Sequence, residues 1–334
     1  MKDRILGRSG MSVSPLGLGT WSIGGEMYLD GKNDSYGDVN DEESVAAIRT
    51  AIDNGVTFFD SADCYGAGHS EKLLGRAIRG KRDDLVIATK FGFVFDQKTK
   101  HITGTDYSRE YVKRACKGSL KRLGTDYIDL YYIHIWHLER EQALEACEGL
   151  EELVEEGYIR YYGWSTDHEE CITYLQDRPN FVSIMHNLNV FDNNTMLTDF
   201  CERHNLASVN RAPLAMGLLS GKYGKDSVMP KNDVRGNGFE WNRYFTGDRP
   251  TPEFVDRLDA VREILRSGGR SLVQGAIAWI WAQSGNTVPV PGFKTVAQAE
   301  ENARAMEYGP LTPEQSDEIN RIIGDLNSGS PVQA

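Results

Sequence analysis

VTFFDSADCYG, residues 56–66, carries the reading of the fold. A β-branched and aromatic run, the length of a buried strand, stops at Asp60, and Tyr65 follows just beyond it. Two later stretches repeat the pattern: LVIATK (85–90) ends on Lys90 and DLYYIH (129–134) ends on His134, each followed by sequence of helical period. Polar chemistry therefore stands where apolar strands stop. A set of strands needed only for packing has no use for an acid, a lysine, a phenol and an imidazole at those points.

Working outward, the same criteria predict strands at 16–19, 57–60, 85–90, 129–134, 160–165, 181–187, 207–211 and 287–290. Helices are predicted at 41–54, 70–79, 108–123, 139–156, 167–177, 195–204, 271–283 and 296–307. Ser108 reads as an N-cap, Thr312 with Gln315 opens a last helix, and Asn54–Gly55 closes the first. Strands that are near-continuous apolar runs alternating with helices argue for a parallel sheet covered on both faces, closed as a (β/α)8 TIM barrel. RILGRSGMSVSPLG (4–17) reads as an N-terminal hairpin plugging the barrel's bottom, and TPEQSDEINRIIGDL (312–326) as an extra C-terminal helix, all within one domain spanning 1–334. Long loops at 22–38, 92–107 and 221–250 fall on the side where such barrels carry function, and the tail NSGSPVQA (327–334) reads as frayed.

Composition limits the partners. The chain has 334 residues, 40% hydrophobic and 26% charged, with a net charge of −12. That charge disfavours a nucleic acid or an anionic membrane as partner. No apolar run approaches the length of a membrane span and the N-terminus does not read as a signal peptide, so a cytoplasmic location is expected. Five scattered cysteines, with no C-x-x-C pair, fit reduced thiols. His134 and His137 form an H-x-x-H without a suitably spaced carboxylate or cysteine, so no metal is expected. GLGTWS (17–22) misses a dinucleotide fingerprint by Ser22, and no clear helix follows it.

Taken together, Asp60, Tyr65, Lys90 and His134 suit one proton-transfer site. A lysine ammonium favours the phenolate form of a nearby tyrosine and is expected to lower its pKa, a carboxylate holds the lysine, and a histidine can hydrogen-bond an oxygen that gains charge. The motifs GLGTW (17–21), FFDSADCYGAGHSEKLLGRAI (58–78), ATKFG (88–92), RLGTDYIDLYYIH (122–134), GWS (163–165), APLAMGLLSGKY (212–223) and VPGFKTVAQAEENARA (290–305) occur in this order. On those motifs the chain resembles the aldo-keto reductase family from end to end.

The resemblance implies NADPH-dependent reduction of a small-molecule aldehyde or ketone, reversible as alcohol oxidation, with Asp60, Tyr65, Lys90 and His134 as catalytic residues. It implies cofactor contacts at Gly19, Thr20, Trp21, Asp60, Ser165, Thr166, Asn187, Arg211, Pro213, Leu214, Gly217, Leu219, Gly221, Lys222, Gly292, Lys294, Thr295, Gln298, Glu301 and Asn302. Departures are visible. Thr166 replaces a usual asparagine, Met185, His186 or Asn187 must replace a usual amide-binding glutamine, and Arg211 stands where an aromatic often stacks on the nicotinamide. Gln298 stands where some members carry arginine, so NAD use stays open. Substrate-lining residues are expected at Trp21, Tyr65, Phe91, His134, Trp136 and Trp241; Asp30, Asn33, Asp34 and Asn242 in the loops are compatible with a sugar-like ligand. Alternatives sharing the same residues are a sugar or polyol dehydrogenase running toward oxidation, and a nucleotide-sensing barrel with vestigial turnover.

Overall fold

Eight parallel strands alternate with helices: β1 (Gly17–Gly19), β2 (Phe58–Asp60), β3 (Val86–Phe91), β4 (Ile128–Ile133), β5 (Ile159–Ser165), β6 (Phe181–Asn187), β7 (Ala207–Arg211) and β8 (Thr287–Pro289). The computed structural model describes residues 1–193 and 195–327. Each strand pairs with the next in sequence. A parallel bridge between Gly19 and Gly292, with Gly19 N donating to Pro291 O at 3.0 Å, joins the last strand's extension to β1 and closes the barrel.

The helices are α1 (Asp41–Asp53), α2 (His69–Ala77), α3 (Arg109–Leu123), α4 (Arg140–Glu155), α5 (Glu169–Thr173), α6 (Met196–His204), α7 (Pro252–Leu265), α8 (Leu272–Gln283), α9 (Val296–Tyr308) and α10 (Pro313–Asn327). Local chemistry sets several ends. Asn40 caps α1 by accepting from Glu43 N, and Ser108 caps α3 by accepting from Tyr111 N. Thr312 and Gln315 bond each other's backbone N–H groups at the start of α10.

Strand alternation sorts the side chains into two cores. Phe58, Ala88, Leu130, Tyr132, Val209 and Val288 fill the barrel interior, while Phe59, Ile87, Phe91, Tyr131 and Ile133 belong to the larger core under the helices. At the bottom, Arg4–Ile5 pairs antiparallel with Ser12–Val13, and Leu6 and Val13 join the interior core, so the hairpin plugs the barrel as expected. Gly7 sits there at φ +51, where a Cβ would lie 2.5 Å from Val182 O and 2.7 Å from Ala207 N. Gly7→Ala is expected to lower the unfolding free energy by about 1–3 kcal/mol, read by urea denaturation, with the rim chemistry unaffected.

Several expected spans differ. The helix read at 167–177 shrinks to α5, and the connections read as plain loops contain two-stranded ribbons at Tyr28–Leu29 with Lys32–Asn33, Phe93–Phe95 with Ile102–Thr105, and Phe245–Thr246 with Arg249–Pro250. Helix α7 was not anticipated, although Thr251 and Pro252 mark its start and Phe254, Val255, Leu258, Val261 and Leu265 form its buried stripe. It begins two residues past the long 221–250 loop. Of the tail, 328–334 lies outside the described residues.

Candidate active site

Register and alternation bring the polar strand ends together. Asp60 follows Phe58 on the inward face of β2, Lys90 follows Ala88 on that of β3, and His134 continues the inward series Leu130–Tyr132 just past β4. Lys90, 1% exposed, donates from Nζ to Asp60 Oδ2 at 2.7 Å, to Ser61 O at 2.7 Å and to Tyr65 Oη at 3.3 Å. The Tyr65 and His134 rings meet edge to face, centroids 5.9 Å apart, and Cys64 Sγ lies 3.8 Å from His134 Nδ1.

Tyr65 reaches the site from a turn that only small residues permit. Gly66 has φ +59, and a Cβ there would lie 1.8 Å from Gly24 O. That close approach lays the first loop against the turn, and Trp21 stacks on Tyr65 with centroids 5.9 Å apart and planes 20° apart.

Electrostatics decide the resting protonation. Burial pushes the Tyr65 phenol well above its ordinary value, and Asp60, Cys64, Asp34 and Tyr36 act in the same direction. The shift therefore runs opposite to the lowering expected from Lys90, with burial as its largest cause, and the phenol rests protonated. Burial, with help from Lys90 and Arg211, pushes His134 well below the usual imidazole range, so it is neutral. Burial also raises Asp60, against the pull of Lys90.

A cleft of about 1300 Å³ runs from this cluster across the barrel mouth. Gly19, Trp21, Asp60, Ser165, Asn187, Arg211, Pro213, Leu214, Gly217, Lys222, Gly292, Lys294, Gln298, Glu301 and Asn302 all line it, as do Trp136 and Trp241. Other expected residues stand behind that lining. Thr20 bonds Ser70 Oγ and Asp60 O, Thr166 Oγ1 bonds Trp136 O, Thr295 caps α9, and Leu219 and Gly221 lie in the turn beneath. Of the three candidates to replace the glutamine, His186 is buried against Ser208 Oγ at 2.7 Å, whereas Met185 and Asn187 reach the cleft. Phe91 is fully buried against Tyr131 on the helix side, so the substrate-lining role expected for it does not fit; Phe93, two residues on, lines the cleft.

Sequence reasoning missed the groups that arrange the cleft. Asp167 pairs with Arg211 and accepts from Asn187 N at 2.7 Å, while the Arg211 guanidinium lies 4.6 Å over Trp136. Arg235 bonds Asp233, Tyr223 Oη at 2.9 Å and Met216 O at 3.2 Å. Val234 N donates to Ser35 O at 2.6 Å, and Lys294 Nζ to Tyr36 O at 2.8 Å and Asp38 O at 2.7 Å, so the first and longest loops are clipped together beside the cleft. Polar residues just past strand ends were a usable signal for Asp167; nothing local marks the loop clip.

The lining suits an elongated anion. Lys222, Arg235 and Lys294 stand along it in a chain of net charge −12, and Arg211 Nε is buried with no hydrogen-bond partner among the described residues. Ala215, Met216 and Gly217 have φ 47°, 55° and 91°, a tight left-handed backbone of the kind retained where a ligand is bound.

A parallel barrel with this rim cluster and cleft defines an oxidoreductase built on the (β/α)8 fold. Residues 15–323 match the Aldo/keto reductase family model, and the chain belongs to that family. The aldo-keto reductase yakc (NADP(+)) of Schizosaccharomyces pombe is 31% identical over 89% of this chain and 86% of its own length. Among solved structures, aldo-keto reductase AKR11C1 from Bacillus halodurans in its holo form has a TM-score of 0.75 at 31% identity, covering 96% of each chain. Glycerol dehydrogenase AKR11B4 from Gluconobacter oxydans has a TM-score of 0.82 at 26% identity, covering 99% of this chain and 98% of its own. Among the described residues, no helix is long and apolar enough to cross a membrane.

Proposed function

We propose that the chain reduces an aldehyde or ketone with NADPH, reversibly as alcohol oxidation, with Tyr65 as proton donor. The observation that carries the reading is Lys90 Nζ bonded at once to Asp60 and Tyr65 in a cleft that also holds His134. When bound, NADPH supplies the hydride. Tyr65, resting protonated, gives its proton to the carbonyl oxygen as charge grows there, and Lys90 faces the phenolate left behind. Asp60, accepting from Lys90 Nζ at 2.7 Å, keeps it aimed. His134, neutral, has Nδ1 beside Cys64, which leaves Nε2 to donate to the same oxygen. Arg211, held by Asp167, suits the nicotinamide end; Lys222, Lys294, Gln298 and Asn302 suit the phosphates and adenine.

The test is purified protein with NADPH and a panel of carbonyl compounds. Stoichiometric NADPH binding without turnover on any of them would favour a nucleotide-sensing barrel. The likeness to glycerol dehydrogenase AKR11B4 supports a second reading, oxidation of a polyol. A phenol resting protonated favours the reductive direction at neutral pH.

Lys294 bears on cofactor choice. Lys294→Met is expected to raise KM for NADPH by about 10- to 100-fold, the loss of one charge-assisted hydrogen bond, while KM for NADH changes little. Because Lys294 also holds Tyr36 and Asp38, equal increases for both cofactors would reduce its role to tying down the first loop.

A further inference from the structure

Among the acids that line the cleft, Asp34 is one that the reaction as proposed does not use. Asp34 lines it together with Trp21, Met27, Leu29 and Tyr36, and is 6% exposed. Its backbone is fixed at both ends: Asp34 N donates to Met27 O at 2.8 Å, and its carbonyl accepts from Trp21 Nε1 at 3.3 Å. The same indole stacks on Tyr65. Those contacts fix the backbone, while of the carboxyl itself Oδ1 is buried with no hydrogen-bond partner among the described residues.

An unpaired buried carboxyl is costly, and an apolar residue would pack there without that cost. Burial alone pushes Asp34 up to about 8. The groups that feel its charge are Tyr36, Cys64 and Tyr65, while the nearest acid–base pair, Asp233 with Arg235, acts on Tyr36. A carboxyl resting protonated offers one O–H donor and acceptor lone pairs, the complement of a hydroxyl group. An ammonium would need the carboxylate, and an alkyl chain would leave the group unpaired.

We propose that Asp34 contacts the substrate by hydrogen-bonding a hydroxyl group of a hydroxyaldehyde or hydroxyketone whose carbonyl sits at Tyr65, selecting such compounds over their deoxy counterparts. This rests on the carbonyl-reductase reading above. Trp21 couples the two positions by stacking on the proton donor while holding the Asp34 backbone. A site built to bond a hydroxyl discriminates strongly against the analogue that lacks it, because the buried group is then unsatisfied.

The test compares glyceraldehyde with propanal on the wild type, Asp34→Asn and Asp34→Leu, with NADPH. The wild type is expected to favour glyceraldehyde in kcat/KM. In Asp34→Leu the glyceraldehyde-to-propanal ratio should fall about 10- to 100-fold, chiefly through KM. Asp34→Asn, whose amide also donates and accepts, should keep the ratio within a few-fold. Both variants should raise Tm more at pH 7.5 than at pH 4. The folded pKa lies above the unfolded one, so the native acid's penalty is absent below about pH 4 and grows as pH rises toward about 8. If Asp34→Leu does not fold, Asp34→Ala gives the same ratio readout. An unchanged ratio, or equal losses on both substrates, overturns the proposal and leaves carbonyl reduction standing. A wild type that turns over no carbonyl compound overturns both.

Discussion

Replacing Tyr65 with phenylalanine is expected to lower kcat for carbonyl reduction by about 10²- to 10⁴-fold, the usual contribution of a positioned general acid. The substitution removes one oxygen and leaves the frame intact, because Lys90 keeps Asp60 and Ser61 O as partners and Trp21 still has a ring to stack on. NADPH affinity, followed by fluorescence titration, should change little. Turnover within a few-fold of wild type would assign the proton to another group.

The protonation state adds a directional signature. With the phenol pushed well above its ordinary value and His134 well below, reduction should be flat through neutral pH, since both groups already hold the forms it needs. Oxidation of an alcohol needs the phenolate and should climb with pH through the alkaline range. In Tyr65→Phe that climb should vanish.

Lys90→Met is expected to remove activity and also to destabilise the fold, by up to about 3–5 kcal/mol, the usual cost of breaking a buried ion pair. Asp60 is 4% exposed and its Oδ1 already has no partner among the described residues, so losing Lys90 strands the whole carboxylate. Asp60 can relieve part of this cost by taking up a proton. Without Lys90 to oppose burial its pKa rises further, so the deficit should shrink as pH falls and widen as pH rises. Adding Asp60→Leu should recover much of the stability, because an apolar pair avoids desolvation, but no activity. Urea denaturation of both single variants and the double variant measures the coupling. A Lys90→Met protein as stable as wild type would mean the pair contributes nothing to holding the rim together.

The same pair shows how far the sequence reaches. Strand ends are local events, and a near-continuous apolar run that stops at a polar residue is visible without any partner. Asp60, Lys90 and His134 were legible for that reason, and so were the barrel's strands and the plugging hairpin. The alternation that turns Lys90 inward also turns Phe91 outward, so that correction was available within ATKFG itself. Helix α7 was equally local, with its N-cap and apolar stripe in plain order.

The barrel and the residues at its strand ends follow from local sequence, because strand length, alternation and capping act over a few neighbours. The furnishing of the mouth depends on long-range packing: Asp167 holds Arg211, the first and longest loops clip together through Ser35 with Val234, and Asp34 is buried beside Trp21 with Oδ1 unpaired among the described residues. Separation along the chain is the cause. Those contacts join loops without periodicity that lie far apart in the chain, and both the cost of burying an acid and the desolvation that keeps Tyr65 protonated exist only once the walls around them have assembled.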